Sequence, residues 1–463
     1  MKKKSPVIEF YRIVRWKKHL KKVAEEREKK QKFKDRMFEA ELSQESSQPD
    51  GALLALESAK LSNAFDVLYK NAHSPTPKEL KHHRAIFRVP QKFDIYENPE
   101  SVFKAVASFR LLALNRRINK IRIIHDEVDT CMSSESLLGI LGAEIDDIRT
   151  STGCRAHIDG YIHHSPSNSA LIENTSLVAE IEDGKILGKP SAPIEKIFSF
   201  KKDNKLFQSP SMTADDIKNE TAKDCIDQLC EGLVQLRAKL DKDVADELKM
   251  CLGEILDNAQ EHCHRTSPTW YVRSYLNTNE DCERYFELMV MNIGASISET
   301  FQMLNDGSLA KQDAMDYANA HSKLFHIEEL ITVAALQGNV SSKKDEEVTR
   351  GQGTVRLIET FENISNAYAR LRGKGKESKK NKPIMNIISG SSVIRFDGRY
   401  HSHKIEHSDG SEDVYITFNN ENSLQLPPDR SSVIRMSKAY FPGVMINIRI
   451  PLNGSVTPID GIH

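Results

Sequence analysis

Val244–His264 reads VADELKMCLGEILDNAQEHCH, and its spacing sets how everything after residue 215 is read. Val244, Leu248, Cys251, Leu252, Ile255 and Ala259 recur at the interval of an amphipathic helix. Glu254 and Asn258 are four apart, so they lie one above the other at the border of that apolar stripe. Asp257 and Glu261 fall further round, on the wet side. A carboxylate and a carboxamide at the edge of a core can face a pocket. The carboxamide oxygen suits a hard cation such as Mg²⁺, and the carboxylate suits orienting a water. The same helix read alone is equally a surface helix with an ordinary polar face, so the segments downstream of it decide between the two.

Two strand-like runs come next, Thr269–Tyr275 and Tyr285–Met291. The second runs into Asn292-Ile293-Gly294-Ala295-Ser296-Ile297, where a glycine after a polar residue lets backbone approach a flat ligand. A helix is expected from Ser298 to Leu304. Farther on, Arg350-Gly351-Gln352-Gly353-Thr354 leads directly into a helix carrying Val355, Leu357, Ile358 and Phe361. A glycine loop at a helix N-terminus offers free N–H groups and the positive dipole end to phosphate. The polar stretch before it, from Ser341 to Glu347, reads as a mobile lid that brings Lys343 and Arg350 to a polyphosphate. Strands return at Ile384–Ile388, Ser391–Asp397, Val414–Phe418 and Val444–Ile450, with Pro442-Gly443 as a turn before the last.

The first half has another texture. Residues 2–37 are dominated by Lys and Arg and carry helix formers over about 7–40, and Ser43–Gly51 is a linker. Helical spacing resumes over Ala52–Ala72 and stops at Ser74–Pro77, since proline cannot continue a helix. Ala85–Ile95 has strand character, Ser101–Asn115 is helical, and Ile121–Ile124 is an apolar strand that ends in His125, Asp126, Glu127 and Asp129. Ser134–Arg149 is a helix with Ser134 as its N-cap. Ala156–Tyr161 is the next strand, so a βαβ unit results. The acids at the strand end are either a metal-binding group or a solvated loop. Residues 160–210 show no chemistry, and Met212–Leu240 is helical.

Composition limits the classes. The chain has 463 residues, with 65 Lys+Arg against 66 Asp+Glu, so no overall charge argues for a polyanionic partner. No apolar run approaches the ~20 residues that span a bilayer. The basic N-terminus is not followed by a signal-peptide core. Cys131, Cys154, Cys225, Cys230, Cys251, Cys263 and Cys282 form no CxxC pair and read as reduced cytosolic thiols. The histidine pairs 163/164, 262/264 and 401/403 lack the companion ligands of a metal site.

The ordered set Glu254-x-x-Asp257-Asn258-x-x-x-His262, Asn292-x-Gly294, Gly351-x-Gly353-Thr354 and a final strand resembles the GHKL ATP-binding fold. Gyrase, mismatch-repair ATPases, heat-shock-90-type chaperones and histidine kinases share that fold. The resemblance covers about residues 215–455. It implies ATP and Mg²⁺ as cofactors. Asn258 would ligate the Mg²⁺, and Glu254 would be the general base. Asn292 would meet the adenine amino group, with Gly294 admitting the base. Gly351, Gly353 and Thr354 would bind phosphate, with Lys343 and Arg350 as lid cations. Two departures stand out. The family has Asp where this chain has Asn292, which loses charge and weakens base selectivity, and a second Gly where it has Ser296, which narrows the pocket or shifts the lid. No separate phosphoacceptor-histidine helix precedes the domain.

The region 85–210 resembles a STAS-like domain, of the kind found beside anti-sigma-factor kinases, with Ser133, Ser134 or Ser136 as phosphoacceptor. The expected architecture is therefore α+β. A basic arm and linker (1–50) and a helical segment (51–84) precede a small α/β domain (85–210). A GHKL-type sandwich of mixed sheet and helices (215–455) closes the chain. The expected function is a cytoplasmic, bacterial, Mg-dependent ATPase that couples nucleotide to a sensor or partner-binding half. The alternatives are an anti-sigma-type Ser/Thr kinase and a non-hydrolysing nucleotide switch. Partners expected are ATP and a protein, with nucleic acid through the basic arm, no membrane, and a homodimer left open.

Overall fold

In the first half strand and helix alternate, because short β-branched runs are followed by longer stretches of helical period. The computed structural model describes residues 63–181, 185–186, 196–204, 214–240, 242–262, 270–278, 285–337, 353–372, 382–406, 412–452 and 457–458. The expected basic arm and linker and residues 51–62 of the helical segment lie outside these, as do Lys343, Arg350 and Gly351. The fold is α+β, with parallel and antiparallel sheets.

Strands β1 (Arg84–Arg88), β2 (Lys120–Asp126), β3 (His157–His163) and β4 (Lys185–Ile186) lie side by side in chain order, all parallel. Helices α1 (Pro99–Ala113), α2 (Met132–Ser151) and α3 (Pro166–Thr175) link them. Crossovers of one hand that always step the same way put their helices on one face. That face is apolar: Ala85, Phe87, Ile121, Ile123 and Ile158 are all buried.

Helix α2 is buried along nearly its whole length, as a helix caught between two sheets must be. A Cβ on Gly142 would collide with the Leu177 side chain, so glycine allows the close approach. Cys131, not Ser134, stands at the N-cap of α2, and the Ser134 hydroxyl instead accepts from the Ile95 N–H at 2.9 Å. Ser133, Ser134 and Ser136 are buried, so a kinase reaches none of them while α2 is docked.

The second sheet has seven strands in the order β10-β9-β8-β11-β7-β6-β5. These are β5 (Ile197–Asp203), β6 (Trp270–Asn277), β7 (Tyr285–Ile293), β8 (Ile384–Gly390), β9 (Ser392–Phe396), β10 (Val433–Arg435) and β11 (Phe441–Pro451). Each pairing is antiparallel, which corrects the expectation of a mixed sheet: parallel pairing is confined to the first half. Neighbours enter as hairpins, β6 with β7 and β8 with β9, and hairpins reverse direction. Strand β5, unremarked in the sequence, is the edge that ties residues 197–203 to the second half.

Pro442-Gly443 is not a turn but part of β11. Gly443 has φ +133° and pairs with Ile293. A Cβ there would strike the Asn292 carbonyl oxygen, so only glycine lets β11 lie against the strand that carries Asn292.

Helices α4 (Ala214–Gln235), α5 (Lys242–His262) and α9 (Gly353–Arg372) cover one face of the large sheet. Leu252, Ile255 and Leu256 of α5 meet Val272, Leu288 and Ile448 in one core. Between β7 and β8 the chain forms α6 (Ile297–Gln302), α7 (Leu309–His321) and α8 (Ile327–Ala335). Helix α2 covers the opposite face, where Tyr271, Met289, Met291 and Met445 join its core. The layers thus run small sheet, helices, large sheet, helices.

A buried ionic cluster joins the two halves across that second core. Glu287 of β7 accepts from the Ser133 N–H and the Ser133 hydroxyl, both at 2.9 Å, at the first turn of α2. A carboxylate there satisfies open N–H groups and meets the positive dipole end. Arg449, opposite Glu287 in the register, lies 3.6 Å from it and 3.2 Å from Asp94. Its guanidinium also sits 4.3 Å over the Tyr96 ring. Burial pushes the Tyr96 and Tyr285 hydroxyls well above the usual phenol range, with the Glu287 charge adding to it.

Candidate functional site

Segments far apart in sequence meet at one cavity of about 130 Å³, lined by α5, the end of β7, the start of α9 and residues of α6, α8, β8 and β11. Its polar lining is Asn258, Asn292, Thr300 and Thr354. Ile255, Val290, Phe301, Leu336 and Ile446 are among its apolar walls, and no charged side chain among the described residues lines it. An apolar slot with a few convergent amides and hydroxyls suits a flat heteroaromatic ring.

Each polar group is held by its element. Asn258 is exposed at the mouth, one turn beyond Glu254 on α5, because it falls beside the buried stripe, which runs on to Ala259. Asn292 is 3% exposed, clamped between Trp270 and Val444 in the sheet, and its Nδ2 has no hydrogen-bond partner. A donor left unpaired in a core costs about 1–3 kcal/mol, and such a group marks a place for a ligand or water. Gly353 opens α9, and Thr354 follows it into the cavity wall, so the N-terminus of a 20-residue helix adjoins the cavity.

Glu254 is half-buried and does not line the cavity. Its Oε1 accepts from Arg356 Nη1 at 2.6 Å, while its Oε2 is buried without a hydrogen-bond partner. Gly294 donates its N–H to the Pro442 carbonyl at 3.1 Å and stands just before Ala295, which lines the cavity. Asp257 points away and pairs with Lys218. Ser296 does not line the cavity: it caps α6, its hydroxyl accepting from the Glu299 N–H at 3.2 Å, while the Glu299 carboxylate accepts from the Ser296 N–H at 2.7 Å; the expected lid lies outside the described residues.

The structure adds Thr300, Phe301, Leu336 and Arg356 to the residues named from sequence. Helix α8 had a readable signal, since Glu329 accepts from the His326 N–H three residues earlier and an apolar run succeeds it. Arg356 had none, because its partner lies on another helix.

Among the described residues no group of three or more His, Cys, Asp or Glu is placed to hold a metal. Of the strand-end acids, Asp126 ends β2 and bonds His163 Nδ1 at 2.9 Å, Glu127 follows at φ +50°, and Asp129 pairs with Lys92 in a short parallel bridge. No family model, curated protein or solved structure matches the chain.

Proposed function

We propose that the cavity is the purine pocket of a Mg-ATP site, and that the chain is a GHKL-type ATPase coupling nucleotide to its α/β half. The observation that carries this reading is the meeting of Asn258, Asn292 and Thr354 at one apolar slot, with the Asn292 donor buried and unpaired. Asn292 reads the base edge and Gly294 shapes the backbone beside it. Gly351, Gly353 and Thr354 offer N–H groups to phosphate at the α9 N-terminus. Lys343 and Arg350 close over the phosphates from the preceding segment.

The residues fit a hard cation held mainly by phosphate. The Asn258 carboxamide oxygen is a neutral oxygen ligand at the mouth, of the kind Mg²⁺ accepts when phosphates supply the charge. The ion would draw electron density from the phosphate under attack. Glu254 then orients the water and accepts its proton. Its bond to Arg356 keeps it occupied without nucleotide. Phosphate at the α9 N-terminus competes for Arg356 and frees Glu254, so occupancy of the site makes its own base available.

That same bond favours a second reading, a switch that binds nucleotide without hydrolysing it. A kinase reading requires an acceptor other than the buried serines of α2. Purified protein with Mg-ATP is expected to release phosphate steadily, and EDTA to cut that rate at least about tenfold. Saturable ATP binding with no phosphate release, and no label transferred to protein, would leave the switch. Transfer of γ-phosphate to a partner protein would leave the kinase. No helix among the described residues is long and apolar enough to cross a membrane. A cytoplasmic site of action and a protein partner on the α/β half belong to this proposal.

A further inference from the structure

Among the described residues, the four-stranded sheet has one bare face. All-parallel sheets are almost always covered on both faces, because each strand then buries side chains in both directions. Here α1, α2 and α3 cover one face, and residues on the other alternate with the buried set. Register places Arg84, Lys120 and His157 in one row across the sheet. Ile86, Arg122 and Asp159 form the next, and Arg88, Ile124 and Tyr161 the third. Asp126 and His163 form a fourth.

Two large nonpolar side chains stand out of this face: Ile86 is 54% exposed and Tyr161 44%. Arg84, Arg88, His157 and His163 are exposed beside them. The two acids of the face are already committed. Asp159 takes a bidentate Arg122 at 2.6 and 3.0 Å and Lys120 at 3.2 Å, and Asp126 takes His163. With histidines neutral, four cations face two acids, so the face is net positive.

We propose that this bare face binds single-stranded nucleic acid. Charge excludes the two nearest alternatives, since the basic 2–37 arm and a second copy of the same face would both meet like charge. The pattern separates nucleic acid from an acidic helix. A helix needs a continuous apolar stripe. Here only three nonpolar positions, Ile86, Ile124 and Tyr161, cross the strands, roughly 10 Å from end to end, with Arg84, Arg88, Lys120 and Arg122 around them. Cationic positions stand beside one aromatic ring, an arrangement that can meet a phosphate and a base of one strand. Tyr161 offers a stacking ring, and Arg84 and Arg88 offer charge to the backbone. This site lies outside the nucleotide cavity and does not depend on that reading.

The test uses the full chain and a fluorescein-labelled oligouridylate of about 20 nucleotides. Binding is expected to weaken about tenfold in Tyr161→Ala and to stay within about twofold in Tyr161→Phe, because the ring is what stacks. Arg84→Gln with Arg88→Gln is expected to reduce the slope of log affinity against log salt by about 1.4, at ~0.7 per phosphate contact. These side chains are exposed, so the variants keep the wild-type melting temperature. Photocrosslinks are expected on peptides spanning 84–88 and 157–163. No binding, binding indifferent to Tyr161 and the two arginines, or crosslinks confined to residues 1–50 would each overturn the proposal. So would an acidic amphipathic peptide that binds this face when oligouridylate does not.

Discussion

Arg449→Met is expected to destabilise the protein by about 3–5 kcal/mol, the cost of breaking a buried ion cluster from one side. Arg449 is 6% exposed and holds Asp94 and Glu287, which are 1% and 0% exposed. Methionine fills much of the volume but leaves both carboxylates in the core without a cation. The α2 N-terminus partly compensates Glu287 through Ser133, and the Tyr96 N–H still donates to Asp94 at 2.9 Å, but the charged partner of both, 3.2 Å from Asp94, is lost. The readout is a lower denaturant midpoint at unchanged slope. Adding Glu287→Gln to the same chain is expected to recover part of the loss. Its carbonyl oxygen still accepts the Ser133 N–H, and one orphaned charge is gone. A loss under about 1 kcal/mol in the single variant would mean that the α/β half does not rest on this cluster.

Glu254→Ala is expected to lower ATP turnover by about 10²–10⁴-fold, the usual contribution of a positioned general base. Nucleotide affinity should stay within about threefold, since Glu254 does not line the cavity. The fold should survive as well. The Glu254–Arg356 pair is 30% and 50% exposed, and such pairs contribute about 0–1 kcal/mol. Equal loss of binding and turnover would make Glu254 a binding residue. Unchanged turnover would remove it from the chemistry.

The elements legible in the sequence are those with strong period. Helix α5 showed itself through its apolar stripe, β7 and β11 through dense β-branched and aromatic runs, and α2 through Leu137, Leu141 and Ile145. What escaped depends on contacts between distant residues. Strand β5 is an edge strand whose partly exposed side chains hide its period. The antiparallel order of the large sheet and the strand setting of Pro442-Gly443 come from partners that no local window contains.

The candidate site shows the same division. Asn258, Asn292 and Thr354 were each suggested by local pattern, and the fold brings them to one cavity. Glu254 was chosen by its spacing and by the resemblance, and its engagement by Arg356 was invisible because it joins two helices. Ser296 owes its place at the start of α6 to Glu299, three residues on. The bare sheet face was hidden in another way, since alternation predicts two faces without saying which one stays uncovered.

The most direct test of the nucleotide account is the melting temperature of Asn292→Leu with and without Mg-ATP. Leucine keeps the volume and removes the buried unpaired donor. The free variant should therefore be more stable than wild type, by about 1 kcal/mol, while its affinity for Mg-ATP falls roughly tenfold to a hundredfold. Wild type should melt higher with saturating Mg-ATP, and the variant should show little or no shift at the same concentration. A variant shifted as far as wild type, or a wild type that Mg-ATP does not shift at all, would contradict it.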